Sequence, residues 1–287
     1  MRAVYKHELR SHFTGVSAYV FGAFLLLFAG IYVMAINIRS AVANFEYVLS
    51  NMSFIFLIIV PILTMRVISE ERRRKTDSLL YSLPVSTAEI VAGKYLALLT
   101  VFAVPTLIIG IYPFILSAFG DIYLKASLCG LLGFFLLGAA LIATGMFISS
   151  LTESQAAAAG ICFAVVLVNY FLVSLSSFVS ATAAASFTAF AVTLLILGAV
   201  LLIMTKSFFT AALGTVGAEL ILAIVYLFKK ESFAGLFPDF MAEISLFSRF
   251  NTILDGVFDL TGVIFYLSFI FVFCYLTVQS LEKRRWS

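Results

Sequence analysis

Residues 154–205 contain no Asp, Glu, Lys or Arg. A helix rises about 1.5 Å per residue and the hydrocarbon core of a bilayer is about 30 Å thick, so ~20 apolar residues cross it once. The run is too long for one crossing and suits two, with the polar, small-residue stretch 174–186 (SLSSFVSATAAAS) as the turn. The same test finds charge-free runs at 11–38, 47–65, 95–120, 126–152 and 260–281, and one at 207–228 interrupted only by Glu219. None alternates apolar and polar residues as membrane strands do. The expected fold is therefore all-α: one polytopic membrane domain over 1–287, with about eight transmembrane helices. A re-entrant pair at 187–228 would leave six. The first run is not read as a signal peptide, because it is long, follows a helix-like dozen residues, and precedes no A-x-A cleavage pattern.

Composition agrees. Hydrophobic residues make up 63% of the 287, charged residues 11%, and mean hydropathy is +1.12. Soluble domains run ~45–50% apolar and ~25% charged. No soluble interior of this size hides so much apolar surface, which excludes a cytosolic enzyme, a secreted disulfide scaffold and a disordered chain. Cys129, Cys162 and Cys274 stand far apart in apolar runs, and both histidines, His7 and His12, are near the N-terminus. The cysteines read as small hydrophobes, with no material for a metal or thiol centre. With the N-terminus inside, thirteen Lys and Arg fall on the inner side and five on the outer, which predicts two cytoplasmic termini for either span count.

Two inter-span segments are long enough to carry function. Residues 66–94 read RVISEERRRKTDSLLYSLPVSTAEIVAGK. A charged helix with a partial apolar face of Ile68, Leu79, Leu80 and Leu83 should end before Pro84. Ser86 then caps a second helix, and Glu89 at its third position closes a capping box. The segment is either a plain basic loop or a docking surface; its mixed charges and defined break suit docking. Residues 229–259 place Phe240, Ile244 and Phe247 at helical spacing, and then Phe250, Leu254 and Val257. Two short amphipathic helices at the outer leaflet follow, either as interfacial belt or as gate. Residues 1–13 put Val4, Tyr5, Leu9 and Phe13 near one face, which suits an interfacial helix on the inner leaflet, or a frayed basic end.

Inside the spans, Glu219 is the one deep ionisable residue. It serves a polar route or interhelical adhesion, neutral or hydrogen-bonded toward the protein interior, or else faces lipid and snorkels, for which glutamate is short at that depth. Ala156, Gly160 and Ala164 form a small-residue stripe suited to close helix packing within the subunit or across a dimer, unless it is chance in an alanine-rich span. There is no G-x-x-x-x-G-K-[ST], since Gly93-Lys94 is followed by Tyr95, and no HExxH or GxSxG. The chain is not read as an enzyme, holds no cofactor of its own, and has no nucleic-acid partner. One buried charge and no evident repeat also weigh against an ion-coupled transporter.

Pro61, Leu63, Met65 and Arg66 are followed by Ser69-Glu70-Glu71, then Thr76, Leu79 and Leu80, then Leu83-Pro84, Ser86 with Glu89, and Gly93-Lys94. This order resembles ABC exporter permeases of the second type (ABC-2). Phe247-Ser248-Arg249-Phe250, Asp255-Gly256, Asp259-Leu260, Tyr266-Leu267-Ser268 and Leu281-Glu282-Lys283-Arg284-Arg285 resemble the branch of gliding-motility and nitrous-oxide-reductase-maturation permeases. The motifs cover about a fifth of the chain.

The resemblance implies a permease homodimer or heterodimer in the inner membrane of a prokaryote, driven by two ABC ATPase subunits that hold the ATP and magnesium. It makes 1–13 the elbow helix. It makes 66–94 the coupling segment, with Arg66, Glu70, Glu71, Arg74, Thr76, Leu79, Leu80, Leu83, Pro84, Ser86, Glu89 and Lys94 as contact residues. It makes 229–259 the external gate, with Phe240, Phe247, Phe250, Asp255 and Asp259 as candidates. The usual core has six spans, so the pair at 187–228 departs from the pattern. The leading expectation is the membrane half of an ATP-driven exporter. The rival is a non-transporting membrane anchor or assembly partner in a motility or envelope complex.

Overall fold

A backbone in lipid must satisfy its polar groups internally, and helix is the direct way to do so. Every described element of the computed structural model is helical. The structure describes residues 1–75, 85–120, 122–205, 208–255 and 260–285. The helices are α1 (Arg2–Thr14), α2 (Ser17–Tyr32, continued by a π-helix at Val33–Arg39), α3 (Glu46–Met52), α4 (Phe56–Thr64), α5 (Ser69–Arg74), α6 (Thr87–Ile109), α7 (Tyr112–Ser117) and α8 (Leu124–Leu151). They continue with α9 (Gln155–Ser176), α10 (Ala183–Thr205), α11 (Phe208–Phe228), α12 (Leu236–Ile244), α13 (Leu246–Leu254) and α14 (Leu260–Arg285).

Among the described residues six helical runs are long and apolar enough to cross a membrane: Ser17–Arg39, Glu46–Arg74, Thr87–Ser117, Leu124–Leu151, Gln155–Ser176 and Leu260–Arg284. The expected extra pair is helical too, as α10 and α11. Its apolar described stretches, Ala183–Ile196 and Gly214–Phe228, are shorter than a crossing.

The chain divides into two units. The first comprises Met1–Asn169 and Arg249–Ser287, with α8 at its centre, packed against α14, α4 and α6. Its middle is small-residue helix, and that admits the neighbours. A Cβ on Gly138 would collide with the Phe102 ring of α6, and one on Gly145 with Thr64 of α4. Around Gly138 the rings of Phe56, Phe102 and Phe134 meet at centroid distances of 4.6–6.2 Å, with Phe21 at the edge, 6.3 Å from Phe102. Tilted and edge-on ring pairs of this kind add to the area they bury.

The second unit, Tyr170–Ser248, holds the α10–α11 pair and α12. Phe187 meets Tyr226 at 4.6 Å, and Phe190 meets Phe237 at 4.9 Å and Phe240 at 5.6 Å. One expectation needs correction here. Phe247 does not share a helix with Phe240 and Ile244. The backbone turns extended at Ser245 (φ −66°, ψ 118°), whose hydroxyl accepts the Ser248 N–H at 3.2 Å, so a new helix starts at Leu246 and carries Phe247 and Phe250. Val257 lies outside the described residues.

Candidate functional site

Helix α4 ends at Thr64, and the chain turns through residues 65–68 before α5 begins. The first N–H groups of a helix have no partner within it. Here Ser149, fully buried near the end of α8, supplies one. Its hydroxyl accepts from Ile68 N–H at 3.2 Å and Ser69 N–H at 3.1 Å, and donates to the Met65 carbonyl at 3.3 Å. The Ser69 hydroxyl donates to the same Met65 carbonyl. The next turn is signed along its axis, with Glu70 and Glu71 first and Arg72, Arg73 and Arg74 last, the order that the helix dipole favours. Lys75 ends it in the left-handed region (φ 55°).

The adjacent carboxylates part company. Glu70 pairs with Arg74 one turn on, at 2.5 Å on the surface, and Arg66 is exposed as well. Glu71 turns inward to Lys94. That ammonium lies 2% exposed and donates to Glu71 Oε1 at 2.6 Å, Glu8 Oε1 at 2.6 Å and the Val67 carbonyl at 3.2 Å. An ammonium has three protons to give, and these three acceptors match them. One side chain of α6 thus holds α1, the turn before α5, and α5 itself.

The elbow reaches this cation because of the residue before it. At Gly93 an added Cβ would stand 3.1 Å from the Val4 side chain and 3.2 Å from the Tyr5 nitrogen, so any larger residue would push α1 back by a few tenths of an ångström. Tyr5 adds a hydroxyl contact to Thr100 at 3.0 Å. His12, on the same side of α1, is held below its ordinary pKa by burial, with Glu8 opposing the shift and Lys94 adding to it. At the start of α6 Ser86 and Glu89 form the capping box that their spacing predicts. Glu89 N–H donates to the Ser86 hydroxyl at 3.3 Å, and Ser86 N–H to the Glu89 carboxylate at 3.4 Å. The same end also carries Arg284 of α14 paired with Glu153 at 2.5 Å, and the Ser280 hydroxyl donating to the Ser150 carbonyl at 3.2 Å.

Thr76, Leu79, Leu80, Leu83 and Pro84 lie outside the described residues, as does Asp259. Of the remaining coupling candidates, Glu71 and Lys94 meet, Glu70 and Arg74 meet, and Ser86 and Glu89 meet. Sequence reasoning passed over Glu8 and Ser149. Glu8 had a signal, being a carboxylate one helical turn from Val4 on the otherwise apolar face of α1. Ser149 had none in its own neighbourhood.

The other candidates scatter. Phe250 is fully buried against Phe134, Phe247 is buried beside Tyr170, and Phe240 is half exposed. Asp255 lines a cavity of about 430 Å³ with Glu46, Asn44, Tyr47, Tyr123 and Asn251. Glu46 is 8% exposed and accepts the Ser127 hydroxyl at 3.1 Å. Glu219 is half-buried, and its Oε1 has no hydrogen-bond partner among the described residues. Ala156, Gly160 and Ala164 are exposed, and nothing lies within 4 Å of a Cβ built on Gly160. The stripe therefore faces away from the described chain, while Ala158, Cys162 and Val166 supply the buried face of α9. Among the described residues no three His, Cys, Asp or Glu side chains are grouped to hold a metal ion.

A family model described as "ABC-2 family transporter protein" matches residues 16–213, a stretch that includes all of 66–94. No curated protein matches the chain.

Proposed function

The chain belongs to the ABC-2 family of transporter proteins, and from that premise we propose that it is the permease subunit of an ATP-binding-cassette exporter. The observation that carries this reading is the mounting of α5. A short, charged helix ends the run Glu46–Arg74 ahead of the next span, and buried groups of other helices, Ser149 and Lys94, hold its base. Its outward side keeps Arg66, Arg73, Arg74 and Lys75 exposed, with Glu70 part-exposed beside them. A helix fastened this way transmits a push, whereas a loose basic loop absorbs it. On this reading the end that carries Lys94 faces the cytoplasm, and both termini with it. Two copies of a separate ATPase bind there, holding ATP and magnesium, while a second permease copy or a homologue completes the pathway. The α10–α11 pair adds two crossings to the six, for a total of eight. The C-terminal motifs support placement among the gliding-motility and nitrous-oxide-reductase-maturation permeases, in the inner membrane of a prokaryote.

Purification of the tagged chain from its native membrane tests the proposal. A stoichiometric P-loop ATPase should accompany it, and Glu70→Lys should abolish the permease's effect on ATP turnover while the chain still inserts. A preparation that contains the chain and envelope proteins but no ATPase would favour the anchor reading instead.

A further inference from the structure

The geometry points to Lys94 as the positioning residue that makes α1 and α5 move as one body. This deepens the permease reading and rests on it for its functional meaning. Three facts carry the inference. The first is saturation: with two carboxylates and a carbonyl on one ammonium, every donor is engaged, and all three acceptors come from outside α6. The second is enclosure. The Lys94 side chain is 1% exposed and those of Glu8 and Glu71 are 16% and 27% exposed, so water screens these attractions less than it screens a surface pair. The third is contact. At Gly93 the backbone of α6 lies against the Val4 side chain and the Tyr5 nitrogen of α1, so the elbow meets α6 one residue from the cation.

The consequence is mechanical. A displacement of α5 draws on Glu71, Glu71 draws on Lys94, and Lys94 holds Glu8. The elbow then follows the coupling segment, and the first turns of α6 go with both. Removal of the cation takes away the donor that Glu8 and Glu71 share, and α1 is released from α5 even where each helix stays folded.

Spin labels at Lys6→Cys and Arg73→Cys, both exposed positions, report the α1–α5 separation once Cys129, Cys162 and Cys274 are replaced. In lipid nanodiscs the chain with its native clamp should give one narrow distance peak. Lys94→Met should broaden it. Should that variant fold poorly, the neutral set Glu8→Gln, Glu71→Gln and Lys94→Met removes all three charges at similar volume and should broaden the peak as well. The swap of Lys94→Glu with Glu71→Lys keeps one cation between two carboxylates and should recover the narrow peak, a rescue that loss of packing alone does not produce. An unchanged narrow peak in both the Lys94→Met and the neutral chains overturns the clamp. This arm needs no ATPase, so it stands or falls separately from the permease reading. In the complex with its ATPase, the separation in the native-clamp chain should be the same without nucleotide and with trapped ATP, and should differ between those states in Lys94→Met. A nucleotide-dependent separation in the native-clamp chain overturns joint movement.

Discussion

The helical run Glu46–Arg74 has a buried polar site at each end, and the two are built differently. At one end Lys94 is enclosed by Glu8, Glu71 and the Val67 carbonyl. At the other, Glu46 takes one hydroxyl from Ser127 and borders a cavity that it shares with Asp255. Among the described residues no Lys or Arg lines that cavity. A saturated cation ties separate chain segments together. A carboxylate with spare acceptor capacity beside open space ties only its immediate neighbour, and the region around it stays free to rearrange. The contrast assigns rigidity to the end that bears α5 and latitude to the opposite end.

The largest expected effect comes from emptying the saturated site. Lys94→Ala leaves two carboxylates in a largely enclosed space, a change that costs ~3–5 kcal/mol where a buried pair loses one partner. Glu46→Gln keeps an acceptor for Ser127 and should cost about 1 kcal/mol or less. Thermal unfolding of both variants in one detergent decides the matter, and equal losses would erase the distinction between the ends.

A smaller effect is expected at Ser149. Its alanine variant deprives the Ile68 and Ser69 N–H groups of their acceptor, at ~1–3 kcal/mol for buried donors left unmet. Hydrogen exchange at those two amides should accelerate, while exchange around Ser127 should not change. If the 65–68 turn exchanges at its original rate, α8 is not what holds α5.

The smallest effect is a pH dependence confined to the Lys94 end. Burial holds the His12 pKa below its ordinary 6.5, so the unfolded chain binds the proton more readily than the folded one. Stability then rises with pH across that window, and is lost as pH falls from about 6.5 toward the lower folded value. His12→Gln should flatten that part of the melting-temperature profile. A profile with the same slope in the variant would remove His12 from the account.

Much of this architecture was legible because it follows from local chemistry. Charge-free runs locate the six helical runs long enough to cross a membrane, since lipid penalises charge. Ser86 and Glu89 close their box because both partners sit within one turn. The break at Ser245 was missed although serine is a good cap, because the aromatic spacing from Phe240 to Phe247 ran across it. The Lys94 cluster was only half legible. Lys94 and Glu71 stood out by motif, yet their pairing is a tertiary fact, and the likeness of Glu70 to Glu71 hid it. Adjacent residues on a helix point about 100° apart, so two neighbouring carboxylates seldom serve one surface. The small residues Ala156, Gly160 and Ala164 were legible as a stripe, but not which side of α9 they cover, because that depends on the neighbours the helix packs against.

The Lys94 contacts also order events during synthesis. Glu8 is made 86 residues before its cation and Glu71 only 23 residues before it. At ~5–20 residues per second α1 waits roughly 4–17 s for its anchor, and three membrane-crossing segments begin to leave the ribosome in that time. Until Lys94 of α6 emerges, the amphipathic face of α1 has only α2, the nascent bilayer or a chaperone to rest on. The elbow therefore meets its anchor only after the segments it will brace have begun to emerge, and a chain that ends before Lys94 carries Glu8 without that partner on a helix otherwise rich in Arg and Lys.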